Sequence, residues 1–452
     1  MIPVRPNILF YFTDQQRWDT LGCMGQPLPV TPCLDALAAD GVCFEQAYSP
    51  QPVCGPCRAM FQTGQWAAQL GCFRNNLALP ENVKTVANWF GEAGYETAYV
   101  GKWHLASNGE LEKAPKIDYT VTAIPPERRG GYRGFWLAAD VLEFTSHGYD
   151  GYVFDENMDR RTFTGYRADC ITDFALEFLD GYDGQRPFFL TVSHIEPHHQ
   201  NDRGHYEGPE GSKERFAHFT LPPDLAALGG NAAEEYPDYL GCCRSLDDNL
   251  ARLVKKLRDM GVYDDTVIVF ASDHGSHFKT RNKDRHLNGY DDYKRSCHDA
   301  CLHVPLIVRG PGFRGGKRVR ELVSTASLPK TFLAMAGVSA DMIGENLQSV
   351  ADGKVDGREN AVFAQISESR VGRCVRTARY LYSVYAPGKN GGECADSDVY
   401  ADDFLYDMDS DPWQLHNLAG DPAYASVRDE LAALLIRKMK EAGERPPRIE
   451  RL

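Results

Sequence analysis

The chain has 452 residues, which is long for one compact domain and short for three. Its 43% hydrophobic and 25% charged residues are ordinary for a globular enzyme, and its formal net charge of −14 argues against nucleic acid as a partner, which needs a basic footprint. No stretch approaches the ~20 apolar residues of a membrane helix, and the apolar run at residues 8–12 is too short for a secretory-signal core, so a cytoplasmic chain with no membrane partner is expected.

In chain order, the Phe- and Tyr-rich run at residues 7–12 predicts a strand that delivers Asp14, Gln15 and Arg17. Val86, Trp89 and Phe90 recur at helical spacing within residues 84–93. Residues 97–100 predict a strand ending on Lys102 and His104, and residues 187–193 one that leads to His194, His198 and His199. Leu246, Leu250, Leu253 and Leu257 share one face of a helix over 239–260, and the strand at 266–271 delivers Asp273 and His274. Strands alternating with helices imply an α/β fold: a large, mostly parallel central sheet covered by helices on both faces. In such sheets ligands collect beyond the carboxyl ends of the strands, so these Asp, Lys and His residues should converge on one crevice.

The pattern changes near residue 350. Strands are expected at 377–385 and 405–408, before an amphipathic helix marked by Val427, Leu431, Leu434, Leu435 and Met439. Two units follow: a catalytic α/β domain at 1–350 and a smaller C-terminal α+β subdomain at 351–452, a short antiparallel sheet plus a helix.

The segment Val53-Cys54-Gly55-Pro56-Cys57-Arg58 admits more than one reading. A bare Cys-Gly-Pro-Cys suggests a thiol redox pair of Cys54 and Cys57, but such domains are small and this reading leaves the strand-end Asp, Lys and His unused. A structural zinc site lacks a second Cys-x-x-Cys. The thirteen cysteines are odd in number and scattered, which fits a reducing compartment better than a disulfide scaffold.

Read as Cys-x-Pro-x-Arg, the segment resembles the signature of type I sulfatases in the alkaline phosphatase superfamily. A second signature of that family is similar to Gly94-Tyr95-Glu96-Thr97-Ala98-Tyr99-Val100-Gly101-Lys102-Trp103-His104. Asp14, the segment Ser272-Asp273-His274-Gly275, Lys294 ahead of His303-Val304-Pro305-Leu306, and the closing Leu405-Tyr406-Asp407 with Asn417-Leu418 follow in the family's order. The resemblance covers nearly the whole chain.

It implies a sulfuric ester hydrolase in which a maturation enzyme oxidises Cys54 to formylglycine. The hydrate carries two hydroxyls on one carbon: one attacks sulfur, and the other later loses its proton and expels sulfate, a release that serine could not achieve. The same resemblance implies metal ligation by Asp14, Gln15, residue 54, Asp273 and His274. Oxygen-rich ligation favours Ca²⁺, with Mn²⁺ or Mg²⁺ next. Arg58 and Lys102 match groups that hold the hydroxyls, and His104 matches the base for the second hydroxyl. His198 and Lys294 match groups that hold sulfate and protonate the leaving alcohol. Asn75 reads either as a substrate-pocket residue or as a turn residue in Asn75-Asn76. His194 and His199 suit a structural role better than His198 does.

Gln15 stands where many sulfatases carry a second acid, a pattern shared with phosphonate monoester hydrolases, so a phosphonate or phosphate ester hydrolase is the alternative activity. Cys57 stands where Ser, Ala or Thr is commoner. The stretch 279–295 holds six Lys or Arg against three Asp, which reads either as a solvated loop or as a recruiter of anionic substrate. A small sulfated saccharide is the expected substrate.

Overall fold

The computed structural model describes residues 5–107, 117–281, 293–354 and 356–451. Ten strands form the main sheet: β1 Asn7–Thr13, β2 Val42–Phe44, β3 Glu96–Lys102, β4 Trp136–Ala139, β5 Asp150–Asp155, β6 Arg160–Thr164, β7 Phe188–Ser193, β8 Thr266–Ser272, β9 Leu306–Arg309 and β10 Lys317–Val319. They lie in the order β10-β2-β9-β8-β1-β7-β3-β4-β5-β6, and β8, β1, β7, β3 and β4 are mutually parallel. Antiparallel pairs enter only toward the two edges.

Strand β1 sits at the centre, and its two-residue period explains why. Ile8, Phe10 and Phe12 pack on one face with Phe61, Phe90 and Phe332, whereas Leu9 and Tyr11 pack on the other with Leu37, Phe174 and Leu250. The strand reads as an unbroken apolar run because both of its faces are covered. Helices α1 Pro32–Asp40, α2 Cys54–Thr63, α3 Val86–Glu92, α4 Arg167–Gly181, α5 Ala232–Asp259 and α6 Leu328–Met335 divide between those faces. Helices α2, α3 and α6 cover the first; α1, α4 and α5 cover the second. Each fully buried Leu, Phe or Val contributes about 1.5–3 kcal/mol, so the doubly covered sheet is a rigid platform.

The helix expected at 239–260 begins earlier, at Ala232, and carries Pro237 inside it. Apolar spacing could not reveal that extension, because its first turns are rich in Glu and Ala.

The C-terminal sheet consists of β11 Ala361–Ile366, β12 Gly372–Thr377, β13 Tyr380–Tyr385, β14 Val399–Asp407 and β15 Arg448–Glu450, with helix α7 Ala425–Glu441 packed on it. Two expectations need correction. The run 377–385 is not one strand: Thr377 ends β12, Ala378 and Arg379 form a turn, and β13 returns antiparallel. The sheet is not wholly antiparallel either, since β15 pairs parallel with β14. Among the described residues, no helix is long and apolar enough to cross a membrane.

Candidate active site

Parallel register brings the candidate site residues together. Thr13 stands opposite Ser272 across β1 and β8, Phe12 opposite Ser193 across β1 and β7, and Gly101 opposite Ser193 across β3 and β7. The chain therefore leaves four adjacent strands at one level and there presents Asp14, Asp273, His274, Lys102 and the loop to His198. Gly101 matters to this level: its φ is +100°, and a Cβ there would lie 2.0 Å from the Ser193 carbonyl oxygen. Cys54 arrives from the side, as the first residue of α2, a helix whose ten residues are all buried. A helix N-terminus carries partial positive charge, which favours an anion at that position.

Distances around Cys54 Sγ are short. Lys294 Nζ lies at 2.9 Å, His274 Nε2 at 3.2 Å and Asp14 Oδ1 at 3.4 Å. Lys294 Nζ also donates to His198 Nε2 at 2.9 Å. Beneath them, Asp14 Oδ2 accepts from Lys102 Nζ at 2.7 Å and from Arg58 at 3.0 Å. Arg58 also donates to Asp273 Oδ2 (3.2 Å), the Lys102 carbonyl (2.9 Å) and Ser193 Oγ (2.7 Å). These four bonds from one planar fork, which a lysine could not reproduce, fix the guanidinium and leave one Nη2 N–H over.

The electrostatics follow from that packing. Burial opposes ionisation of Cys54, yet Lys102, Lys294, His274 and a hydrogen bond to His104 pull its thiol well below the ordinary value. Burial and the neighbouring Cys54 push Asp14 upward, but Lys102, His198 and Arg58 outweigh them and hold it below the usual carboxylate range. Asp273 is pushed up by burial and by Asp14. Lys294 resists its own burial and is raised by Cys54 and Asp14.

Cys54, Lys102, His104, His198, Lys294, Gln15 and Asn75 line one cavity of about 140 Å³. Arg58 lies behind it, fully buried. The Asn75 side-chain oxygen Oδ1 accepts the Gly55 N–H at 2.9 Å, which ties this residue to the first turn of α2. Gln15 reaches the cavity, but its side-chain oxygen already accepts the His199 N–H at 2.9 Å. His194 stays out of the cavity: it packs on Tyr11 at 4.7 Å, and burial takes it down to about 3. His199 lies against Tyr293, with ring centroids 4.2 Å apart and the planes tilted by 30°. Cys57, one helical turn after Cys54, does not line the cavity: it is fully buried in the core, and burial and Asp273 push its thiol up. Of the basic stretch 279–295, residues 282–292 lie outside the described residues.

Sequence reasoning missed the supports. Arg167 and Glu196 form a buried pair at 2.7 Å, and Arg167 also donates to Gln200 and Ser146, clamping both ends of the loop that carries His198. The Glu196–Pro197 peptide is cis. Asp140 accepts the Ala106 N–H at 2.9 Å, and its carbonyl accepts the His104 N–H, setting the His104 backbone at φ +60°. Of the residues bordering the cavity, Gln15, Asn76, His104 and Arg295 all hold positive φ without being glycine. Strained backbone of this kind gathers at functional sites. The single signal in the sequence was Glu196-Pro197 itself.

One ligand atom from each of Asp14, Cys54, Asp273 and His274 lies within 4.8 Å of every other, and all four residues are buried. Two carboxylates and an imidazole packed this closely fit a divalent cation, which would relieve the repulsion between Asp14 and Asp273.

Comparison with known proteins agrees with this geometry. The sulfatase family model matches residues 6–338, and the model for the N-sulphoglucosamine sulphohydrolase C-terminal region matches residues 288–441. An ulvan-active sulfatase of Formosa agariphila is 29% identical over 98% of this chain and 82% of its own length. An N-acetylglucosamine-6-O-sulfatase of Bacteroides thetaiotaomicron is 24% identical over 98% of this chain and 88% of its own. The crystal structure of a putative sulfatase from Bacteroides fragilis shares the fold with a TM-score of 0.80 at 23% identity, covering 98% of this chain and 97% of that one. The chain belongs to the sulfatase family of the alkaline phosphatase superfamily and is a sulfuric ester hydrolase.

Proposed function

We propose that this sulfatase acts on the sulfate ester of a small saccharide, with formylglycine at position 54 as nucleophile and one divalent ion held by Asp14, Gln15, residue 54, Asp273 and His274. The observation that carries this reading is the convergence of Lys294 Nζ, His274 Nε2 and Asp14 Oδ1 within 2.9–3.4 Å of the Cys54 side-chain atom. When bound, the ion supplies positive charge that lowers the pKa of the attacking hydroxyl. Oxygen-rich ligation favours Ca²⁺ over Mn²⁺ or Mg²⁺.

The remaining chemistry belongs to side chains of this chain. Arg58 and Lys102 fix Asp14 and hold the hydroxyl oxygens on residue 54. His104, hydrogen-bonded to position 54, takes the proton of the second hydroxyl. Lys294 and His198 touch each other at 2.9 Å, bind the sulfate oxygens and protonate the leaving alcohol, with Asn75 beside them on the substrate wall. The Bacteroides relative named for N-acetylglucosamine 6-O-sulfate supports a saccharide leaving group. Thirteen cysteines, odd in number and scattered along the chain, support a reducing, cytoplasmic setting, and the proposed formylglycine requires a maturation enzyme acting on Cys54.

Mass spectrometry of the Cys54 peptide, from a host with active maturation machinery, tests the reading. Formylglycine lowers the residue mass by about 18 Da relative to cysteine. The modified enzyme should release sulfate from a panel of sulfated mono- and disaccharides and prefer aryl sulfate to aryl phosphonate in kcat/KM. An unmodified thiol, or a preference for the phosphonate, overturns it.

A further inference from the structure

The wall of the cavity beyond residue 54 is a short loop after β4, held unusually firmly. The buried Asp140 carboxylate accepts from the Ala106 N–H at 2.9 Å and from the Ser107 hydroxyl. Leu142, fully buried, sits at φ +64°, and its carbonyl accepts from the Thr145 N–H and from the Ser146 hydroxyl at 2.6 Å. The Glu143 carboxylate is 5% exposed and grips Asn201 through the backbone N–H at 2.6 Å and the side-chain amide at 3.1 Å.

Between buried Glu143 and buried Thr145, Phe144 faces outward with 56% of its surface exposed. Among the described residues it is the most exposed large hydrophobic side chain. It also lines the same cavity as Cys54, together with the amide side chains of Asn76 and Asn201. A large apolar ring left in water on a clamped loop, with backbone strain two residues earlier, marks a surface kept for contact with a ligand. A flat apolar face flanked by amide donors and acceptors complements a pyranose, which offers a C–H face and a hydroxyl edge.

We infer that Phe144 is the platform on which the sugar ring of the sulfated substrate stacks, and that it sets saccharide affinity. This rests on the sulfatase reading above. The ring touches only the alcohol part, not the sulfur, so it contributes equally to ground state and transition state, and its loss falls on KM rather than kcat.

The test compares wild type with Phe144→Ala, Phe144→Tyr and Phe144→Trp, all matured, on the saccharide sulfate that wild type hydrolyses fastest and on ethyl sulfate, which has no ring. For Phe144→Ala, KM for the saccharide should rise about tenfold with kcat within about twofold, and the kcat/KM ratio of saccharide to ethyl sulfate should fall by about tenfold. Phe144→Tyr and Phe144→Trp should keep that ratio within about twofold of wild type. If wild type releases sulfate but Phe144→Ala leaves the ratio unaltered, or lowers kcat on both esters alike, the platform is overturned and the sulfatase reading stands. If wild type releases sulfate from no ester, the sulfatase reading falls, and the platform with it.

Discussion

Two buried charge clusters in this chain are built on opposite plans. In the C-terminal sheet, Arg373 and Glu444 close on each other: Arg373 Nε donates to both carboxylate oxygens at 2.8 Å, while Gln365 and the carbonyls of Gly372 and Ala395 use the remaining capacity. That pair is complete in itself. Around residue 54 no pair is complete. Asp14 is shared by Lys102 and Arg58, Arg58 is shared by Asp14 and Asp273, and Lys294 faces a thiol and an imidazole. A closed pair stabilises and is finished; a shared network holds charges in position while leaving them with binding capacity for a ligand.

The largest expected effect attacks the shared network. Lys294→Met should lower kcat/KM for sulfate release by about 10²–10³-fold, while the melting temperature stays level or rises, because an incompletely paired buried charge has been removed. A loss of stability in proportion to the loss of activity would put Lys294 in the same class as Arg373. The mirror experiment is Arg373→Met. Leaving Glu444 buried without its cation should cost about 3 kcal/mol, read as a lower melting temperature, with kcat on the same ester within about twofold of wild type. Full stability in Arg373→Met, or an activity defect, would erase the distinction.

The smallest effect concerns a third kind of buried charge, one with dipoles rather than a cation for partners. Asp247 accepts the N–H groups of Cys33 and Leu34 at 2.9 and 2.8 Å, at the start of α1, and burial pushes its carboxyl up to about 7. Its folded pKa exceeds the unfolded value of 3.8, so between pH of about 4 and about 7 the native state binds the extra proton. The stabilising contribution is fully present below the unfolded pKa and fades as pH rises through about 7. Asp247→Asn cannot titrate, so the melting temperature of wild type minus that of the variant should fall by about 2 °C from pH 5 to pH 8. A flat difference would show that the two N–H groups hold the carboxylate ionised throughout.

What the sequence made legible were the parts whose physics is local. The apolar runs ending in Asp14, Lys102 and Asp273 announce strands, and parallel strands must release their termini on one side. The amphipathic stripe of Leu246, Leu250, Leu253 and Leu257 announces the covering helix. Hidden were the parts that depend on pairing. The run 377–385 looks continuous because strand propensity does not register that Ala378 and Arg379 turn the chain back. Asp140, Glu143 and Arg167 belong to no motif, since they act on backbone groups and loops brought near only by folding. Cys54 and Cys57 look like a pair in the sequence, but on α2 they face different surroundings: one meets Lys294 and His274, and the other enters the core.

The burial of Cys54 also sets a clock. Only 1% of its surface is exposed, and the helix that begins with it is enclosed along its whole length. On the proposed conversion of Cys54 to formylglycine, an enzyme acting on this side chain would reach it only before the sheet and α2 close over it, or after unfolding. Oxidation and folding would then compete in time. A chain that folded first would keep its thiol sealed in place, so the yield of modified protein would be set by the relative rates of the two processes, and unfolding and refolding in the presence of the modifying activity would be the way to recover a missed molecule.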